Sequence, residues 1–306
     1  MVSLSNPINL FMKKLYSLLI LFSFTAYTQT IKIADAVTHQ PIPYASVYLL
    51  NNTKISGGTS CDTNGNAILP VVNFDTIKIT CIGYEDTQIA KTDVDTLIYL
   101  KPKVIDLEEL IIGNNTHVLA YKGKKGVSLS MTKDTEFVLY VKNTFKRTLG
   151  IKTFSMKMEK AIVENTLRLV MYKATDTITH KRPGENLLQQ DIIFNIKPDT
   201  EGIVEVDLTQ YNIQLPADGA YIGIDVIDVK DKNGNYFLDK HHFNKFESIS
   251  SYDPYYLIYT KYNTPRWGNM YILWVDALKR IGRNPKAKRN KKYFNLPAFS
   301  VEVYTN

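Results

Sequence analysis

From Thr30 to Tyr304 the chain is written in short runs whose apolar residues fall on every second position, broken at intervals of about ten residues by Gly, Pro, Asn and Asp. A period of two puts alternate side chains on opposite faces of a strand, whereas an amphipathic helix needs a period of about 3.6. The pattern therefore predicts strands at 31–33, 45–49, 67–69, 76–82 and 96–100. It predicts a second series at 137–141, 151–158, 167–172, 192–196, 203–208, 221–226, 270–275 and 299–304. With 20 Tyr and 13 Phe to fill half-buried pleats, an all-helical fold is excluded. Hydrophobic residues at 44% and charged residues at 22% exclude a disordered chain. A length of 306 residues exceeds what one core of about 250 residues holds, so two modules are expected.

Ahead of the strands, Lys13 and Lys14 precede an apolar run from Leu15 to Phe24, followed by the small or polar Thr25, Ala26, Thr28 and Gln29. That order is the signature of a secretory signal, and the run falls short of the roughly 20 residues that span a bilayer. Residues 1–29 are read as a signal peptide cleaved between Ala26 and Thr30, with translation starting at Met1 or Met12. The expected location is the periplasm, the outer membrane or the cell surface. In an oxidising compartment Cys61 and Cys81 either close a disulfide or stay as two buried thiols.

The first module covers residues 30–101. It contains Pro41-Ile42-Pro43-Tyr44-Ala45-Ser46-Val47-Tyr48-Leu49, then Gly58-Thr59 with Asp62 and Gly65, then Ile79-Thr80-Cys81-Ile82-Gly83-Tyr84-Glu85. These spaced motifs resemble the carboxypeptidase regulatory-like domain found at the front of many exported Bacteroidetes proteins and their TonB-dependent receptors. The resemblance implies a transthyretin-like β-sandwich of seven strands and carries no peptidase chemistry with it, because the five histidines show no His-x-x-Glu spacing. Asp62-Thr63-Asn64-Gly65-Asn66 reads as a hairpin turn: its Gly is in the fourth place where a calcium loop needs the sixth. Residues 102–118, with Ile105 to Gly113, read as a linker or short strand; too few residues follow for a transport barrel.

The second module, 119–306, is expected to be a larger sandwich or jelly-roll-like domain. Its aromatic stretch from Tyr252 to Trp274 offers two readings. Alternate rings fill the core, or Tyr256 and Trp267 with Arg266 and Asn269 form a ligand platform for sugar or peptide. Asp239, His241, His242 and Glu247 are weak metal candidates, because adjacent strand residues face opposite ways. A basic run, Lys279 to Lys292, contains Gly282 and Pro285 and so reads as a loop; Lys286, Lys288 and Arg289 at its centre are candidates for contact with phosphate-rich surfaces. Setting aside Lys13, Lys14 and that run, acidic residues outnumber basic ones, so the net charge of +7 does not describe the whole surface.

No nucleophile elbow, phosphate loop, zinc His pair or dinucleotide fingerprint is present, so no enzyme and no cofactor are expected. The sequence supports an exported, non-catalytic binding or scaffold protein of the envelope, partnered by an envelope protein or a glycan and peripherally associated with the outer membrane, with no nucleic acid. The alternative is a carbohydrate-binding accessory protein using the Tyr/Trp-rich surface.

Overall fold

The computed structural model describes residues 29–103, 113–175, 182–231, 233–234, 244–251, 256–262, 267–268 and 294–305. The signal segment, residues 104–112, the expected strand at 270–275 and the basic run lie outside them, as do Arg266 and Asn269.

The chain is all-β, with 56% of the described residues in strands. Residues 30–100 supply β1 (Thr30–Asp35), β2 (Ser46–Asn51), β3 (Lys54–Ser60), β4 (Asn66–Ile68), β5 (Thr76–Thr80), β6 (Thr87–Ala90) and β7 (Leu97–Leu100). They pack as two sheets, β4-β1-β7 and β3-β2-β5-β6. Between the sheets lies one core, built from alternate residues such as Ile31 and Ile33, Val47 and Leu49, and Ile77 and Ile79. Alternation locates five of the seven strands. It misses β3, whose Gly57 and Gly58 interrupt the pattern, and β6, which buries nothing fully.

Asp62 to Asn66 turns as expected, with Asp62 Oδ1 accepting from the amides of Asn64 and Asn66 and Gly65 at φ +76°. It is not a hairpin. The turn leads from β3 in one sheet to β4 in the other, and the Gly65 carbonyl accepts from Ile33 of β1.

The second core contains no residue of the first. It is enclosed by strands β8 (Thr116–Ala120), β9 (Lys124–Lys125), β10 (Leu129–Ser130), β11 (Thr135–Val141), β12 (Leu149–Met158), β13 (Glu164–Thr175), β14 (Arg182–Asn186), β15 (Ile193–Ile196) and β16 (Gly202–Asp207). The series continues with β17 (Gln214–Leu215), β18 (Ala220–Lys230), β19 (Lys245–Phe246), β20 (Ser248–Ser251), β21 (Tyr256–Thr260), β22 (Trp267–Gly268), β23 (Phe294–Pro297) and β24 (Phe299–Tyr304). One sheet runs β10-β19-β12-β24-β8 and the facing one β14-β13-β18-β11-β21-β22, with β23-β20-β9 as a small third.

The sheet containing β11, β13 and β18 positions the site. Phe137, Leu139, Leu167, Leu169, Ile222 and Ile224 point into the core. The intervening residues also lose solvent: every residue of β11 is buried, as is β18 up to its last residue. A sheet covered on both faces reads as a continuous apolar run instead of an alternating one.

Candidate functional site

The outer face of this sheet is organised in rows set by strand register. Glu136, Asp225 and Arg168 lie across β11, β18 and β13; Val138, Gly223 and Val170 form the next row; Tyr140, Tyr221 and Tyr172 the third. Against the charged row packs the outer face of the first sandwich, where Ser46 pairs with Ser60 and Thr80, and Tyr48 with Gly58 and Lys78.

The two sandwiches meet through specific groups. Arg168 Nη2 donates to the Tyr44 carbonyl at 2.8 Å, and Tyr44 holds φ +58°, a left-handed conformation that non-glycine residues adopt at a cost. The Tyr262 hydroxyl donates to the Thr59 carbonyl at 2.9 Å and lies 3.0 Å from Ser60 Oγ; its ring is 5.4 Å from that of Tyr48. Cys81 Sγ donates to Asp191 Oδ2 at 3.7 Å. Gly58 makes room for Tyr262: a Cβ there would stand 2.5 Å from the Val47 carbonyl oxygen and 2.7 Å from Tyr262 Cε1. Gly58→Val is therefore expected to separate the sandwiches at a cost of about 1–3 kcal/mol, read as a lower urea midpoint and as faster limited proteolysis of the chain. An unchanged cleavage rate would show that the ring does not hold the interface.

Inside the interface the charges are compensated in sequence. Arg168 pairs with Asp191 through Nε at 3.1 Å and with Asp225 through Nη1 at 3.5 Å, and the Lys261 ammonium pairs with the same Asp225 Oδ2. Burial alone would lower the pKa of both cations, but the carboxylates outweigh it: Asp191 and Asp225 hold Arg168, and Asp225 holds Lys261, above their ordinary values. Glu136, 6% exposed, accepts the Tyr172 hydroxyl on Oε2 at 2.7 Å. Burial, reinforced by the neighbouring Asp225, pushes Glu136 up to about 7. Burial also raises Asp191, and lifts Asp134 at the foot of β11 to about 6.

A cleft of about 630 Å³ opens over this cluster, within the usual range of about 300–1,000 Å³ for small-ligand sites. Its floor includes Glu136, Arg168, Asp225 and Lys261, its walls Tyr48 and Tyr172. Asp225 is 1% exposed and its Oδ1 has no hydrogen-bond partner.

Carboxyls with raised pKa give stability a defined pH dependence. The folded state holds the Glu136 proton more tightly than the unfolded chain, so its stabilising effect is complete below about 4.5 and is lost as pH rises through about 7. Asp134 acts in the same direction. Glu136→Gln keeps an acceptor for Tyr172 and removes the titration. Its urea midpoint should match the wild type at pH 5 and exceed it at pH 8, the gap being on the order of 3 kcal/mol at most. Parallel curves for the two proteins would contradict this.

Few of the sequence candidates belong to this site. Tyr256 starts β21 opposite Leu139, and Trp267 lies on β22 opposite Tyr259; Arg266 and Asn269 lie outside the described residues. Lys286, Lys288 and Arg289 also lie outside them. Cys61 and Cys81 are two free thiols, not a bridge, and burial pushes both up to about 12. Of the metal candidates, Asp239, His241 and His242 lie outside the described residues, while Glu247 holds Lys125 at 2.9 Å and Lys157 at 3.1 Å, and no metal-binding group of His, Cys, Asp and Glu occurs among the described residues. Tyr262, one of the aromatic stretch, is a buried anchor between sandwiches.

No family model matches the chain, and no curated protein or solved structure matches it either.

Proposed function

We propose that this is an exported, non-catalytic binding or scaffold protein of the cell envelope, built on a carboxypeptidase regulatory-like front sandwich, with its recognition surface in the cleft between the two sandwiches. The observation that carries this reading is the set of four ionisable side chains, Glu136, Arg168, Asp225 and Lys261, buried where the sandwiches meet and lining the cleft, with the half-buried Asp191 paired to Arg168 beside them. Buried ion pairs are weak sources of stability compared with apolar packing of the same volume. Their presence on a docking face that leaves an open polar cleft supports recognition of a further molecule. The signal-like N-terminus supports export, and the spaced motifs between Pro41 and Glu85 support the front-sandwich assignment.

Crosslinking in intact envelopes, followed by recovery of the chain, tests the reading. A processed N-terminus between Ala26 and Thr30 and a partner lost on Gly58→Val substitution are the expected results. An unprocessed chain in the cytosol, or a processed monomer with no partner, would overturn it.

A further inference from the structure

The cluster of charges beneath the cleft is one positive charge short. Arg168 and Lys261 face three carboxyls, those of Asp191, Asp225 and Glu136, and both cations are committed to the two aspartates. Glu136 forms no ion pair among the described residues. Facing it are Asp225 from β18, Arg168 and Tyr172 from β13, Tyr259 from β21, Lys261 just beyond it and Tyr48 from the first sandwich. Asp225 adds a carboxylate oxygen, almost wholly buried and without a hydrogen-bond partner, on the same cleft floor. At the rim Glu85 and Glu185 are exposed acids against Lys103, while Asp86 is paired with Lys78 at 2.8 Å.

Tyrosine rings, a buried carboxyl without a counter-ion and an unpartnered carboxylate oxygen together suit an ammonium group, which interacts with the ring faces and donates three hydrogen bonds. Anions meet an acidic rim. A neutral polyol satisfies the hydroxyls but leaves the charge deficit in place. We propose that the cleft binds a small molecule carrying one ammonium group, which replaces the proton of Glu136 and donates to Asp225 Oδ1. This rests on the reading of the cleft as a recognition site. No covalent bond changes: one proton leaves Glu136 for solvent as the ligand cation enters.

Titration calorimetry on the full chain with glucosamine, hexylamine and glucose, in two buffers of different ionisation enthalpy, tests it. One or both amines should bind and glucose should not, which also separates an amino sugar from a simple alkylamine. Between pH 5 and 7 binding should release up to one proton and tighten by about tenfold per pH unit, because the ligand competes with a single proton. Glu136→Gln should abolish the proton release and weaken binding about tenfold or more. Should that variant fail to fold, the proton release of the wild-type chain decides alone. Glucose binding as tightly as glucosamine, without proton release, would overturn the ammonium assignment and leave the recognition cleft standing. Silence with all three probes would overturn the ammonium assignment, and the envelope crosslinking result would then decide the broader reading separately.

Discussion

Replacing Lys261 with methionine is expected to cost about 3–5 kcal/mol at neutral pH, the range for breaking a buried pair by removing one partner. Lys261 is 2% exposed and its ammonium holds Asp225 Oδ2. Without it Asp225 keeps the longer Arg168 contact at 3.5 Å, and Glu136 loses the ammonium just past β21 that favours its charged form. Methionine matches the stem of lysine, so a packing defect contributes little. The cost should shrink toward pH 5, where Glu136 is protonated. The paired variant Asp225→Asn with Lys261→Met leaves Arg168 balanced by Asp191 and should recover most of the lost stability. Urea midpoints at pH 5 and 7.5 for the two single variants and the double decide the matter. A double variant as unstable as the sum of its parts would place the cost in shape, not charge.

The fold was more legible than the site because the two depend on different information. Alternation is local, and it located five strands of the first sandwich and, in the second, β11, β12, β13, β15, β16, β18 and β24, which carry much of the core. The site draws Tyr44 and Tyr48 from the first sandwich, and Glu136, Arg168, Asp191, Asp225 and Lys261 from separate segments of the second. No spacing rule links residues so far apart in the chain. One signal was present. Arg168 interrupts Leu167-Arg168-Leu169-Val170-Met171, and Asp225 interrupts Tyr221-Ile222-Gly223-Ile224-Asp225-Val226, where the flanking apolar residues imply a strand buried on both faces. A charge in such a run must find a partner inside the protein. The aromatic stretch stayed ambiguous for a different reason: a tyrosine looks the same in sequence as a platform or an anchor, and Tyr262 is an anchor because Gly58, some 200 residues earlier, leaves space for it.

Gly223→Ala is the substitution expected to damage the second sandwich most for the fewest atoms added. Gly223 occupies the middle of β18, between Val138 of β11 and Val170 of β13. A Cβ there would collide with the Phe137 carbonyl oxygen and stand 2.9 Å from Val138 Cα, and both are backbone atoms that no rotamer change can move. Strand β11 would have to shift, carrying Glu136 away from Tyr172 and loosening Phe137, whose ring packs edge-on against Phe246 at 5.1 Å. About 3 kcal/mol, the upper end for overpacking, is expected. Gly202→Ala is the control. Gly202 has φ +86° with nothing within 4 Å of its added Cβ, so only backbone strain of about 1–2 kcal/mol should appear. Urea midpoints rank the two. If Gly202→Ala proved the more costly, β11 and β18 would not approach as closely as the row of Val138, Gly223 and Val170 requires, and the charged row beside it would lose the support that holds Glu136 on the cleft floor.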